Sequence, residues 1–407
     1  MNLMVDLKFN KEDVVSTKKL SIRGEKKVFN VYRIPLEYLK YNKKNGRIAT
    51  YVSQFIDEGK EFPEKDNYKF NNIIEEYIQK SNPDALKKTK ANIKIMSQTE
   101  PAVVTAEGVI LDGNRRFTAL RQLSREGLGA EFNYLEAVIL ENNAYTEKDI
   151  KRLELNLQHA IESKVDYNPI DRLVDIYRDL IKDGGMFTVE EYATDTQMSI
   201  KKVNEEIGLA KLMLEYLEFI GQSKKFYIAR EQKIDGPIRE IYKIINSKKI
   251  DINQKDTIKE ILFLSMISLN GDITRKIRNL KSVFEDKVYS NNLVDEFEEL
   301  EILDDAVDYF ESETTQKDIR DTGILNIEEN IKERVCKVVE SSVEVKKLSE
   351  SKNKPIDILN RINLLINDID IDSVKRMNDL LRNEFNTILS HVEEKLNKMK
   401  QTILVTG

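Results

Sequence analysis

The sequence predicts an α+β N-terminal domain, then an all-α region with a helix-turn-helix, then a helical C-terminal region. Strand-like and helix-like runs alternate over roughly the first 150 residues, and strand signals nearly vanish after Ile150. Between Thr188 and Leu217 a short helix, a tight turn and a longer helix follow one another. With 407 residues the chain exceeds one ordinary core, and we divide it at 1–150, 151–250 and 251–407.

The elements follow in order. Val28 to Ile34 alternates as a strand does, while Asn72 to Gln79 and Ala85 to Met96 carry helical spacing. Ala102 to Leu111 reads as two short strands around Ala106-Glu107-Gly108, helix resumes at Arg115, and Tyr134 to Leu140 is a further strand. Asn168 and Pro169 supply an N-cap and a first-turn proline for a helix expected to run to Gly184-Gly185. Thr188 with Glu191 forms a capping-box pattern, and Ser199 caps a longer helix with an apolar face from Ile200 to Leu217. Pro355 marks an expected break. Beyond it Val374, Met377, Leu381, Phe385, Ile388, Val392, Leu396, Met399 and Ile403 step by threes and fours. Two readings of that seam stand: pairing of chains into a homo-oligomer, a dimer first, or docking onto the chain's own core.

Composition excludes several chemistries. One cysteine, Cys336, rules out an intramolecular disulfide and a thiolate metal cluster, and two histidines add little ligand capacity. No run of 18 apolar residues occurs and charges interrupt the N-terminal segment, so a cytoplasmic protein without a membrane partner is expected. The net charge of −6 hides an asymmetry: residues 221–249 hold eight Lys or Arg against three acids, and 283–345 hold nineteen acids against six bases. The basic stretch suits either a phosphate backbone or an ordinary solvated helix surface.

The turn Asp112-Gly113-Asn114-Arg115-Arg116 joins a strand to a helix. Uncapped N–H groups and the positive end of a helix dipole favour an anion at such a turn. Two arginines in the first turn oppose the dipole unless negative charge sits nearby. Arg116 shares the sector of Leu120 and Leu123, which look inward; its partner is either a ligand phosphate, met in paired geometry, or an internal carboxylate.

At this point the chain resembles the N-terminal domain of the ParB family, within the ParB/sulfiredoxin-like superfamily. Ala85 to Met96, Pro101-Ala-Val-Val, Gly108-Val-Ile-Leu and Asp112-Gly-Asn-Arg-Arg-Phe-Thr-Ala-Leu follow the family's order of helix, strand, strand and G-x-R-R-x-x-A motif. Leu155-Asn-Leu-Gln-His159 looks like its E-N-L-Q-R box, Tyr167-Asn-Pro-Ile170 like its L-N-P-I, and Asn42 to Arg47 like an early box whose arginine reaches the nucleotide. The resemblance covers about residues 28–220.

It implies a cytidine triphosphate, or another nucleoside triphosphate, bound with Mg2+. Gly113, Asn114, Arg115 and Arg116 would form the phosphate cradle, Arg47 would reach the nucleotide, and Asn156 and Gln158 would stand beside the metal-bound triphosphate, Asn156 as a metal neighbour. Hydrolysis would need the metal to neutralise phosphate charge while water is held in line. The chain departs from the pattern at Leu155 for the acid, His159 for the final arginine, Thr118 for a further arginine, and an inserted segment at Glu58 to Lys80. Leucine cannot ligate a metal; Glu154 and Glu162 are the nearby acids, and binding is expected ahead of NTP hydrolysis. Sulfiredoxins carry a cysteine where this chain has Asn114, which excludes that reductase chemistry. Small-molecule kinases of the superfamily use D-G-H-H-R, and the histidines are missing here.

The resemblance also implies nucleotide-controlled binding of double-stranded DNA. Ser199, Lys201 and Lys202 open the second helix of the helix-turn-helix, and Lys224 and Lys225 would add backbone contacts. Glu205 and Glu206 follow and would repel phosphates. The alternative is a ParB-fold NTPase or nuclease-like enzyme that acts with partner proteins in mobile-element or phage-defence biology.

Overall fold

A computed structural model describes residues 2–141, 144–161, 168–322 and 325–406. Its contacts separate two units, Met1–Ser342 and Val343–Gly407.

The N-terminal part of the first unit is a six-stranded mixed sheet. Its strands are β1 (Val14–Ile22), β2 (Glu25–Pro35), β3 (Lys40–Tyr41), β4 (Ala102–Thr105), β5 (Val109–Asp112) and β6 (Tyr134–Leu140). They lie in the order β1-β2-β6-β4-β5-β3, with β4–β6 and β3–β5 parallel and the other pairs antiparallel. The expected strands at 28–34, around 106–108 and at 134–140 are all present. Strand β1 lies outside those expectations, because Lys18 and Lys19 break its alternation. It pairs with β2 through the two-residue turn Arg23-Gly24, both at positive φ, the hand that suits a twisted hairpin.

Successive side chains of a strand face opposite sides, so the sheet carries two cores. Ile34, Val104, Ile110, Ala137 and Ile139 pack with Phe70, Ile74, Phe117 and Leu120 from the helices on one face. Leu20, Val31, Val103, Leu111, Val138 and Leu140 pack with Leu153 and Leu157 on the other. The first face is covered by α2 (Ala49–Asp57), α3 (Asn67–Ser81), α4 (Pro83–Met96) and α5 (Asn114–Arg125), after a short α1 (Leu3–Asp6). The second is covered by α6 (Glu147–Ile161). Strand β3 ends the sheet, and the Asn71 amide of α3 covers that edge by accepting from Tyr41 N (3.1 Å) and donating to Leu39 O (2.8 Å).

The rest of the unit is helical: α7 (Pro169–Ile176), α8 (Val189–Thr196), α9 (Ile200–Phe219), α10 (Phe226–Glu231), α11 (Asp235–Ile245), α12 (Lys255–Ser268), α13 (Ile273–Phe284), α14 (Lys287–Glu299), α15 (Ile302–Glu311), α16 (Glu313–Thr322) and the start of α17 (Glu329–Asn367). Asn168 caps α7, the Thr188/Glu191 capping box is formed in both directions, and Ser199 caps α9. The helix after Pro169 does not stay α-helical to Gly184: it loosens into one π turn at Tyr177–Ile181 and tightens into a 3-10 turn at Lys182–Gly184. Arg230 of α10 ties this region to the sheet domain, donating to Thr50 Oγ1 (2.8 Å), Tyr51 OH (2.7 Å) and Asp171 Oδ2 (2.9 Å).

The second unit holds the end of α17, then α18 (Ile371–Lys375) and α19 (Asp379–Thr406). Pro355 does not break the chain: it is exposed, and α17 runs through it. The breaks fall instead at residues 368–370 and 376–378, leaving Val374 and Met377 outside the helix that carries the rest of the seam. Among the described residues no helix is long and apolar enough to cross a membrane.

Candidate functional site

Strand β5 delivers Asp112 to a turn at which Gly113 takes φ +104° and opens α5 without a side-chain cap. A Cβ on Gly113 would stand 2.7 Å from Ala102 Cβ and 3.1 Å from Arg116 Nη2, so both backbone angle and space demand glycine. The first turn of α5 faces a cleft of about 280 Å³. Asn45, Arg47, Asp112, Gly113, Asn114, Arg115 and Arg116 line it, opposite a wall of Thr89, Asn92, Met96, Ser97, Thr99 and Glu100.

Three arginines against two carboxylates give the cleft a positive balance. Arg116 Nη2 donates to Asp112 Oδ2 at 2.8 Å, so the internal-carboxylate reading of Arg116 holds for one nitrogen. Its Nε is buried without a hydrogen-bond partner, and so is Asn114 Oδ1 on a side chain only 8% exposed. Both residues line the cleft, but these two atoms are themselves closed to solvent, and such orphans are costly unless a turn of the side chain brings them a partner. The guanidinium supplies donors for an anion; the amide supplies an acceptor, or donors after rotation.

The early arginine arrives by a separate route. Asn42 Oδ1 accepts from Lys44 N (2.9 Å) and Asn45 Oδ1 from Arg47 N (3.1 Å), folding residues 42–47 into two side-chain-closed turns. These turns bring Arg47 to the same cleft as the turn at 112–116. Thr118 sits fully buried, with its Oγ1 2.7 Å from Tyr41 OH, so it serves the core rather than the cleft.

The opposite wall was not legible in the sequence. Ser97 ends α4 at φ +60° and ψ −159°, a conformation that costs a non-glycine residue about 1–3 kcal/mol. Gln98 pins the segment to β6 by donating to Tyr134 O (2.9 Å) and accepting from Glu136 N (2.9 Å). Lys18 of β1 lies behind the turn, 3.7 Å from Glu100. Burial lowers its pKa, Asp112 opposes that shift, and Arg116 adds to it.

Of the downstream box, the described side chains do not line the cleft. Leu155 is buried, and Asn156 is half-buried on α6 and absent from the cleft lining; the side chains of Gln158 and His159, and all of Glu162, fall outside the described residues. Glu154 is buried, 3.7 Å from Lys151, and burial pushes its carboxyl up. Among the described residues no three His, Cys, Asp or Glu side chains gather as a metal site.

The short helix α8 and the longer α9 follow one another, with Gln197 in the left-handed region between them. Ser199 and Lys201 are exposed at the start of α9, whereas Lys202 pairs with Glu205 and Glu206, both at 3.1 Å. Lys224 is exposed, and Lys225 lies 3.7 Å from Asp57.

No family model matches the chain, and no curated protein matches it. Among solved structures it is similar to a Pnob8-like ParB-N domain, with 11% identity and a TM-score of 0.33 over 65% of this chain and 96% of that one.

Proposed function

We propose that this is a ParB-like protein that binds a ribonucleoside triphosphate, CTP first, in the cleft between the turn at residues 112–116 and the end of α4. The observation that carries the reading is the pair of orphaned atoms, Asn114 Oδ1 and Arg116 Nε, at an uncapped helix N-terminus that also gathers Arg47 and Arg115. Such a site offers fixed N–H groups and guanidinium forks to phosphate oxygens. Mg2+ would arrive with the triphosphate, which supplies most of its oxygens, and Asp112 and Glu100 are the carboxylates on the cleft. Thr89, Asn92 and Met96 would meet the nucleoside.

The proposal is binding ahead of turnover. Leu155 offers no acid, and Glu154 is held by Lys151. Double-stranded DNA is the proposed downstream partner, through Ser199, Lys201 and Lys224.

Calorimetric titration with ATP, GTP, CTP and UTP in Mg2+, for the wild type and Arg116→Ala, tests the reading. CTP should bind tightest, and the variant should bind it about 10- to 100-fold more weakly, the size of a charge-assisted hydrogen bond or two. Absence of binding by all four nucleotides would refute the proposal. Phosphate release that rises on adding duplex DNA would extend it to hydrolysis.

A further inference from the structure

An open pocket of about 760 Å³ lies between α2, α3 and the end of α10, and it shares no lining residue with the cleft at residues 112–116. Much of its lining comes from the segment Glu58 to Lys80, where the chain departs from the ParB pattern.

One wall is aromatic. Tyr77 stacks on Tyr51, with ring centres 5.5 Å apart and planes 9° from parallel, and meets Phe55 edge-on at 6.4 Å. Arg230 holds Tyr51 in place: its guanidinium lies 4.0 Å from the ring centre and donates to the hydroxyl at 2.7 Å. Lys60 Nζ stands 5.7 Å from the ring of Phe55. The rings on either side of Tyr77 thus each face a cation of the chain itself, whereas Tyr77 has none over it among the described residues.

The polar lining is acidic. Glu58, Glu76 and Glu231 stand against Lys60 and Lys80. Lys60 pairs with Glu58 at 2.6 Å, and Lys80 comes only to 4.0 Å from Glu76. Glu231 is exposed and has no ion pair among the described residues. Burial, with Glu58 and Glu76 adding to it, pushes the Tyr77 hydroxyl up to about 12. An aromatic face attracts cations through its quadrupole and packs against methylene groups, and carboxylates accept from ammonium N–H groups. An anion would meet repulsion here, and a neutral apolar ligand would desolvate carboxylates without replacing their water.

We propose that this pocket binds a polyamine, a flexible methylene chain carrying two or more ammonium groups, with its stem on Tyr77 and Phe55 and its ammonium groups at Glu76 and Glu231. Acids from two separate helices, α3 and α10, call for more than one positive charge, and the volume falls in the range of small-ligand pockets. The inference stands independently of the nucleotide site.

Calorimetric titration of the full chain with spermidine, in ~50 mM salt and without nucleotide, tests it. The wild type should bind saturably, with a Kd at or below ~100 µM. Tyr77→Ala should weaken binding about 10-fold, and Tyr77→Phe, which keeps the ring, should stay within about 3-fold of the wild type. Glu231→Gln, at an exposed position that folding does not depend on, should weaken it about 3- to 5-fold. Lys60→Gln should tighten it, because the chain's own cation leaves Phe55 and Glu58. Glu299→Gln, an exposed acid of α14, should change nothing, which separates the pocket from general attraction to an acidic chain. Absence of saturable binding at 1 mM spermidine overturns the proposal. So do equal effects of Glu299→Gln and Glu231→Gln, or binding of a lysine-rich peptide where spermidine does not bind.

Discussion

Replacing Asp171 by Asn should remove a pH dependence from the stability of the chain. Asp171 is fully buried beneath Arg230, with its oxygens also met by Thr50 N (3.2 Å). Burial pushes its carboxyl from 3.8 to about 6, against the opposing pull of Arg230 and Thr50. The folded chain therefore holds this proton more tightly than the unfolded one, and unfolding releases it between about pH 4 and pH 6. Stability falls as pH rises through that window, and the rise of the pKa converts to about 3 kcal/mol at 1.36 kcal/mol per unit. The amide of the variant cannot titrate, so its curve lacks this component, and the offset from Arg230 losing its counter-charge is the same at every pH. Denaturation followed by circular dichroism from pH 4 to 7.5 should show the wild type losing ~3 kcal/mol relative to Asp171→Asn, on the order of 6 °C in Tm. Parallel curves, or a wild type that gains on the variant as pH rises, would refute the reasoning.

Gly113→Ala should abolish nucleotide binding by calorimetry and lower stability by at least ~1–3 kcal/mol, because the new Cβ meets Ala102 at 2.7 Å and φ is +104°. Ser97→Gly should raise Tm, relieving about 1 kcal/mol of backbone strain at φ +60°. Thr188→Ala removes the hydroxyl that accepts from Glu191 N, and should cost about 1 kcal/mol in a denaturant titration. Duplex DNA affinity should fall only ~10-fold between 50 and 200 mM salt if two lysines, Lys201 and Lys224, supply the phosphate contacts; a fall above ~500-fold would require the paired cations to contribute as well.

The parts of the fold legible in the sequence are those that local chemistry dictates. Asn168-Pro169, Thr188 with Glu191, and Ser199 mark helix starts because capping needs only a side-chain oxygen at the right offset. The turn at Asp112 to Arg116 was legible because a glycine between strand and helix followed by two arginines is an unusual way to begin a helix. What local pattern does not encode is partnership. Strand β1 is ordered by pairing with β2, so its lysines hide it. The cleft wall at Asn92, Met96 and Ser97 depends on where α4 ends relative to β5, and single polar positions on a helix carry no such information. Pro355 misleads for the converse reason: a residue that locally disfavours helix is taken as its end, whereas α17 runs through it.

The fate of the cations argues for where anions are expected. Several arginines and one lysine outside the cleft face carboxylates that the fold itself buries. Arg230 meets Asp171, which is 0% exposed; Arg239 and Lys202 converge on Glu206, which is 1% exposed; and Arg152 of α6 bonds the buried Asp195 of α8. Removing one partner from such a pair strands a buried charge, at a typical cost of about 3–5 kcal/mol, so these cations are held by the core and are poor sources of phosphate affinity. The turn at residues 112–116 has the opposite balance. Arg116 has one carboxylate for a guanidinium with five donors, keeps its Nε orphaned, and stands where the dipole of α5 already disfavours a cation. A charge placed against its helix and left short of partners in a buried cleft lowers its free energy when an anion binds, whereas Arg230 and Arg239 would have to give one up.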